Sequence, residues 1–219
     1  MPKRKVILGE YDTAAHGWTL NGCALSNPEQ KTNYVEKSGG DGSWDLSTVL
    51  TEGLARYKDR SLTVRLENSE GTRADREALI NAMVNLLDGL VWPVVLPDRP
   101  DYYVTARLHV AEEYSTPAHA AVVVTGVCEP WLYRAQETVV QRTASSTTQS
   151  VTLQNNGRRA VVPQLETTGN IKLTYGGTLI DLSAGVYQWP ELLLTPGNHV
   201  LEYSGSGTLT VTYREAVLR

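Results

Sequence analysis

Four histidines, His16, His109, His119 and His199, are the first residues to ask for chemistry, because an imidazole both moves protons near neutral pH and ligates metals. None stands within four positions of another histidine or of a cysteine, so the short-range spacings typical of zinc sites are missing. His109 and His119 can approach each other across a hairpin, but histidines on the polar face of a strand are ordinarily solvated. Glu112 with Glu113, and Asp41 with Asp45, supply carboxylates of the kind a glycosidase uses in pairs. Neighbouring strand residues point to opposite faces, however, so Glu112 and Glu113 cannot form a facing pair. The clusters Gly39-Gly40-Asp41-Gly42 and Gly205-Ser206-Gly207 lack the Lys-Ser/Thr of a phosphate-binding loop and read as turns between strands. There is no Gly-x-Ser-x-Gly elbow. Cys23 and Cys128 make no disulfide framework, and Cys128, at a strand end, reads as a small buried apolar group. The residues therefore predict a protein that is not an enzyme and holds no cofactor and no metal.

The elements that would position any site are mostly strands. From Asp101 to Trp131 the chain reads DYYVTARLHVAEEYSTPAHAAVVVTGVCEPW. Tyr102, Val104, Ala106, Leu108 and Val110 alternate with Tyr103, Thr105, Arg107 and His109, the period of a half-buried strand. Ser115-Thr116-Pro117 turns the chain, and Val122-Val123-Val124 returns it, which predicts a long antiparallel hairpin. So long an edge needs a partner, from the fold itself or from another subunit. Leu62, Val64 and Leu66 alternate in the same way. Between Thr72 and Gly89 the period changes: Leu79, Ile80, Met83, Val84, Leu87 and Leu90 recur at three- and four-residue steps, predicting a single long helix over about 72–89. Thr72 is its expected N-cap with Asp75 completing a capping box, and Gly89 its C-terminal glycine. Pro93, Pro97 and Pro100 are expected to turn the chain before the hairpin.

Residues 1–135 thus make an N-terminal sandwich or barrel-like domain with one helix. Residues 136–150, rich in Thr, Ser and Gln, read as an exposed linker or crossover. Residues 151–219 carry short strands with turns about every ten residues, including one expected at Arg159 to Pro163, and predict a compact all-β sandwich.

A net charge of −4 argues against a dedicated nucleic-acid binder, since phosphate neutralisation calls for a basic face. No apolar run has the length of a signal peptide core or a membrane span, so neither export by a cleaved signal nor membrane insertion is expected. Eleven tyrosines and five tryptophans without one phenylalanine favour half-exposed, interfacial positions for the aromatic rings. Such rings suit contacts between subunits or stacking on sugars, for which Tyr175, Tyr187 and Trp189 are the candidates in a carbohydrate-binding module.

Three landmarks stand in one order: Tyr34-Val35-Glu36-Lys37-Ser38-Gly39-Gly40-Asp41-Gly42-Ser43-Trp44-Asp45-Leu46-Ser47; Asp101-Tyr102-Tyr103 followed by Ala106-Arg107-Leu108; and Cys128-Glu129-Pro130-Trp131. Together with Gly205 to Arg214 near the end, they resemble the distal tail proteins of long-tailed, non-contractile bacteriophages along nearly the whole chain. The resemblance implies an N-terminal domain forming a homo-hexameric ring continuous with the tail tube, and a galectin-like C-terminal sandwich. It implies a tail tube protein and a tail-tip or hub protein as partners, DNA passing through the lumen without specific binding, and a place at the distal end of the virion tail after synthesis in the host cytoplasm. Tyr34, Trp44, Tyr102, Tyr103, Arg107, Val122 and Val124, on the two hairpins, become the candidates for pairing across subunits. The C-terminal region is shorter than in larger members, so no extra carbohydrate-binding insertion is expected.

Overall fold

A computed structural model describes residues 4–51 and 53–219. The chain divides into two compact units, one reaching to Leu132 and including Arg219, the other running from Tyr133 to Leu218. The fold is mainly β, with one α-helix among the described residues.

The first unit contains β1 (Ile7–Leu8), β2 (Tyr11–Asp12), β3 (Thr19–Leu25), β4 (Tyr34–Glu36), β5 (Ser43–Asp45), β6 (Arg60–Asn68), α1 (Arg73–Leu87), β7 (Val91–Val95), β8 (Tyr102–Ser115) and β9 (Ala120–Cys128). Seven of the strands form one antiparallel sheet in the order β2-β1-β7-β8-β9-β6-β3. Alternation sets its inner face: Leu62, Val64 and Leu66 on β6, Val104, Ala106, Leu108 and Val110 on β8, and Val122 and Val124 on β9 are all buried. Gly126 stands where β9 crosses closest to Leu108; a Cβ there would lie 3.2 Å from the Leu108 side chain.

The helix forms as its sequence predicts. Thr72 Oγ1 accepts from the Asp75 backbone N–H at 3.2 Å, and the Asp75 carboxylate accepts from the Thr72 N–H at 2.8 Å. Asp88 is the C-cap, followed by Gly89 at φ 72°. Ile80, Met83 and Leu87 point inward, whereas Leu90 lies beyond the helix and is exposed. One turn before Ile80 the same face carries Arg76, which is buried. Its guanidinium donates to the carbonyls of Gly71 at 2.8 Å, Thr116 at 3.1 Å and Pro117 at 2.7 Å, tying the β8–β9 turn to the start of the helix. A charge pattern alone would have put it in solvent.

Two expectations are corrected here. Pro93 does not turn the chain but lies inside β7, opposite Thr105. Its carbonyl accepts from Gly9 N–H on the side of β1, so its nitrogen faces that side too; the pairing of β7 with β1 stops at Val94 and Val95, and no ladder donor is required of Pro93. The 101–131 hairpin, in turn, is no edge. β8 pairs with β7 along one side, β9 pairs with β6 along its other side, and the hairpin is central to the sheet. The terminal strands of the order are instead β2 and the longer β3, which carries a bulge between Leu20 and Gly22.

The second unit begins at the division with β10 (Leu132–Arg134), followed by β11 (Thr138–Ala144), β12 (Gln149–Asn155), β13 (Gln164–Thr167), β14 (Ile171–Tyr175), β15 (Thr178–Leu182), β16 (Gly185–Gln188), β17 (Gly197–Gly205), β18 (Gly207–Tyr213) and β19 (Ala216–Val217), the last pairing with β10. The sheets β11-β18-β13-β16 and β12-β17-β14-β15 enclose a core of Leu153, Leu165, Leu173, Leu194, Leu201 and Leu209. The segment 136–150, expected as a linker, is mostly strand: β11 pairs with β18 from Thr138↔Tyr213 to Ala144↔Gly207. It is an edge strand whose Val140 and Ala144 meet the core while Val139, Gln141 and Arg142 face solvent, and this one-sided contact accounts for its polar composition. The strand expected at Arg159 to Pro163 is reduced to a single bridge between Val161 and Leu194.

Candidate assembly surfaces

Three of the four imidazoles have a hydrogen-bond partner in the fold, and His119 is held through its backbone. The His16 ring stacks on Tyr11 with centroids 4.0 Å apart, and its Nδ1 lies 2.8 Å from the Asp12 carbonyl. His109 Nδ1 is 2.8 Å from Asp88 Oδ1, which also accepts from Val110 N–H at 2.8 Å; the backbone bond is the main cause holding the Asp88 carboxyl below the usual carboxylate range. His119 N–H donates to Thr116 Oγ1 in the hairpin turn. His199 sits between the Tyr175 hydroxyl at 2.8 Å and the Thr195 carbonyl at 2.7 Å. Burial pushes both cysteine thiols up to about 11, which keeps them protonated and poor nucleophiles at neutral pH. Glu113 is the extra residue of a bulge in β8, with Arg65 at 3.8 Å. No group of three His, Cys, Asp or Glu among the described residues is arranged to hold a metal.

The residues proposed for sugar stacking do not make a platform. Trp189 is buried in the sandwich core, where Tyr175 and Tyr187 pack against it as half-buried neighbours. The Tyr187 hydroxyl is bonded to Ser183 Oγ at 3.0 Å and that of Tyr175 to His199. Trp189, closed into the core, has no open face for a sugar, whereas Tyr175 and Tyr187 are half-buried with their hydroxyls bonded within the unit.

Of the hairpin candidates, Val122 and Val124 are fully buried, facing Leu66 and Val64 on one side and Glu112 and Val110 on the other. Their ladder bonds are filled within the chain, which removes them as contacts to another subunit. Tyr102 and Tyr103 are half-buried at the start of β8. Arg107 is exposed, but its guanidinium donates to the Gly89 carbonyl behind the helix.

Tyr34 and Trp44 stand in a different setting. Between Leu25 and Arg60 the chain leaves the sheet as an arm. Its base is zipped by Lys58 N–H to the Glu29 carbonyl and Lys31 N–H to the Arg56 carbonyl, both at 2.8 Å, and the Tyr57 ring meets Trp131 edge-on at 5.5 Å. Beyond the base, β4 and β5 pair only with each other: Tyr34↔Asp45, Val35↔Trp44, Glu36↔Ser43. Gly39 and Gly42, at φ 74° and 76°, make the tip turn. Ser47 N–H donates to Asp45 Oδ1 at 2.9 Å while Ser47 Oγ accepts from Asn33 N–H at 2.8 Å, closing the hairpin and lowering the Asp45 carboxyl through its bonds to Ser47. A short 3-10 turn, Val49–Thr51, follows. Tyr34, Val35, Trp44, Leu46, Val49, Leu50 and Leu54 are all exposed, Leu50 to 95%. So many exposed large apolar side chains on one short arm exceed the scatter of single surface residues. Tyr34 and Trp44 are among the residues the sequence singles out; Val49 and Leu50 are not, because a short apolar run reads equally well as buried.

No family model matches the chain, and no curated protein is similar to it in sequence. The fold does have a solved counterpart, the crystal structure of the Dit protein (gp 19.1) of phage SPP1, described as a paradigm of the hub adsorption apparatus in phages that infect Gram-positive bacteria. At a TM-score of 0.69 and 15% identity the two superpose over 96% of this chain and 98% of that one, so the chain has the fold of that phage protein along nearly its entire length.

Proposed function

We propose that this chain is a structural component of a phage tail, a distal tail adaptor whose copies close into a hexameric ring between the tail tube and the tail-tip or hub proteins, leaving a channel through which DNA passes. The observation that carries this reading is the shared fold with SPP1 Dit over both units. Its physical support is the arm. A cyclic ring joins a patch on one subunit to a different patch on the next, so each copy must carry both a donor and an acceptor surface. The arm, with Trp44 and Leu50 exposed, is the donor. The acceptor is the apolar group at the end of the helix, Leu86, Leu90 and Val91, all three exposed in the first unit. The free side of β3 adds seven residues of strand able to pair with a neighbour.

Electron microscopy of the purified full chain tests the reading. Six-fold particles with a central opening are the expected image; a field of single subunits at micromolar concentration, or closed particles without an opening, would remove it.

A further inference from the structure

The first unit contains a pocket of about 360 Å³, one wall of which is β3 itself. It opens where β3 and the segment after β7 come together, and Arg4, Arg60 and Arg99 line it together with Asn21, Cys23 and Asp98. Three guanidinium groups against one carboxylate leave the lining cationic.

Arg60 and, in part, Arg99 are drawn into the protein, whereas Arg4 is exposed. Arg60 is 4% exposed, and its Nε and Nη1 donate to neutral acceptors, the Ser26 carbonyl at 2.6 Å and the Pro130 carbonyl at 3.4 Å. Arg99 Nη1 is buried with no hydrogen-bond partner, and its Nε stands 3.7 Å from Asp98 Oδ2, beyond hydrogen-bond reach. Asp98 itself is 59% exposed, so it screens Arg99 weakly. Arg60 and Arg99 line the same pocket, and the proton affinity of Arg60 is lowered first by burial and then by the charge of Arg99. Burial likewise dominates the raised thiol of Cys23 on the same wall. A donor left unpaired beside a second buried cation is unfavourable unless an anion completes the site. Guanidinium groups meet planar or tetrahedral oxyanions with paired N–H donors, and the pocket is large enough to admit one.

We propose that this pocket binds a small oxyanion, a phosphate or a carboxylate, held between Arg99 and Arg60 with Arg4 at the entrance. The inference concerns the folded first unit and does not depend on ring assembly.

Isothermal titration of the full chain at fixed ionic strength tests it, with inorganic phosphate in one arm and acetate in the other, and sodium chloride as the blank. Saturable binding is expected in at least one arm; phosphate alone would point to a free phosphate or phosphoester, and acetate to the side chain of an acidic partner. Arg99→Gln and Arg4→Gln, both at positions open enough to tolerate the change, should each weaken binding by about tenfold while the melting temperature stays near that of the parent protein. Arg142→Gln, on the second unit, should leave binding unchanged. The absence of saturable heat in both arms, or binding indifferent to both pocket variants, would overturn the proposal.

Discussion

Val35 and Trp44 face each other directly across the arm hairpin, and both lie open to solvent. In a two-stranded ribbon such a pair is the main side-chain contact, yet a hairpin this short is marginal without something to pack against. That tension is the physical basis for reading the arm as half of an interface.

Replacing Trp44 by Ser should therefore separate folding from assembly. The side chain is 56% exposed, so the melting temperature should move by no more than about 0.5 kcal/mol would produce. Assembly, followed by sedimentation velocity, should weaken strongly. Leu90→Lys, at the acceptor patch, should have the same pair of effects.

The central hairpin should behave in the opposite way. Leu108 is 1% exposed beneath the sheet, and Leu108→Ala should cost about 2–5 kcal/mol in chemical denaturation. Val124→Pro removes a ladder donor from a strand bonded on both sides, and loss of the near-ultraviolet circular dichroism of the first unit is expected.

Acid should loosen the junction between α1 and β8. The Asp88 carboxyl is held below its ordinary value of 3.8 by the Val110 N–H and, after that, by His109. A carboxyl depressed in the folded state contributes its stabilisation in full above 3.8 and loses it as pH falls through the lowered value. Urea midpoints recorded between about pH 2 and 6 should fall less steeply at the acid end for Asp88→Asn than for the parent protein. A slope identical in both would show that the carboxylate does not tie the helix end to the strand.

Gly157 offers a test of the second unit. A Cβ there would meet the Ala216 carbonyl oxygen at 2.6 Å and its nitrogen at 2.8 Å, both backbone atoms that cannot swing aside. Gly157→Ala should destabilise by about 1–3 kcal/mol, whereas Gly22→Ala, with open space around it, should stay within about 0.5 kcal/mol.

What the residues disclose in advance follows the range of the forces involved. Helix α1 was legible because its stripe and its Thr72–Asp75 box are local. Arg76 was not, since the carbonyls that solvate it, those of Thr116 and Pro117, lie about 40 residues away. The alternation of β8 foretold a hairpin but not that β7 and β6 would flank it; pairing partners are non-local, and a central strand reads much like a long edge. β11 reads as a linker in sequence because an edge strand wets one face. Trp189 suits a sugar by its ring type alone, and only the closure of the two sheets over it shows it buried. For the arm, residue type singles out Tyr34 and Trp44, but exposure is a tertiary property, and nothing local distinguishes Leu50 from a core residue.

Mass photometry of the purified full chain and of its Trp44→Asp variant decides whether the arm joins copies into a ring. Particles of six copies are expected for the parent, and single subunits, folded by circular dichroism, for the variant. A parent protein that stays monomeric, or a six-copy particle unaffected by Trp44→Asp, would contradict it.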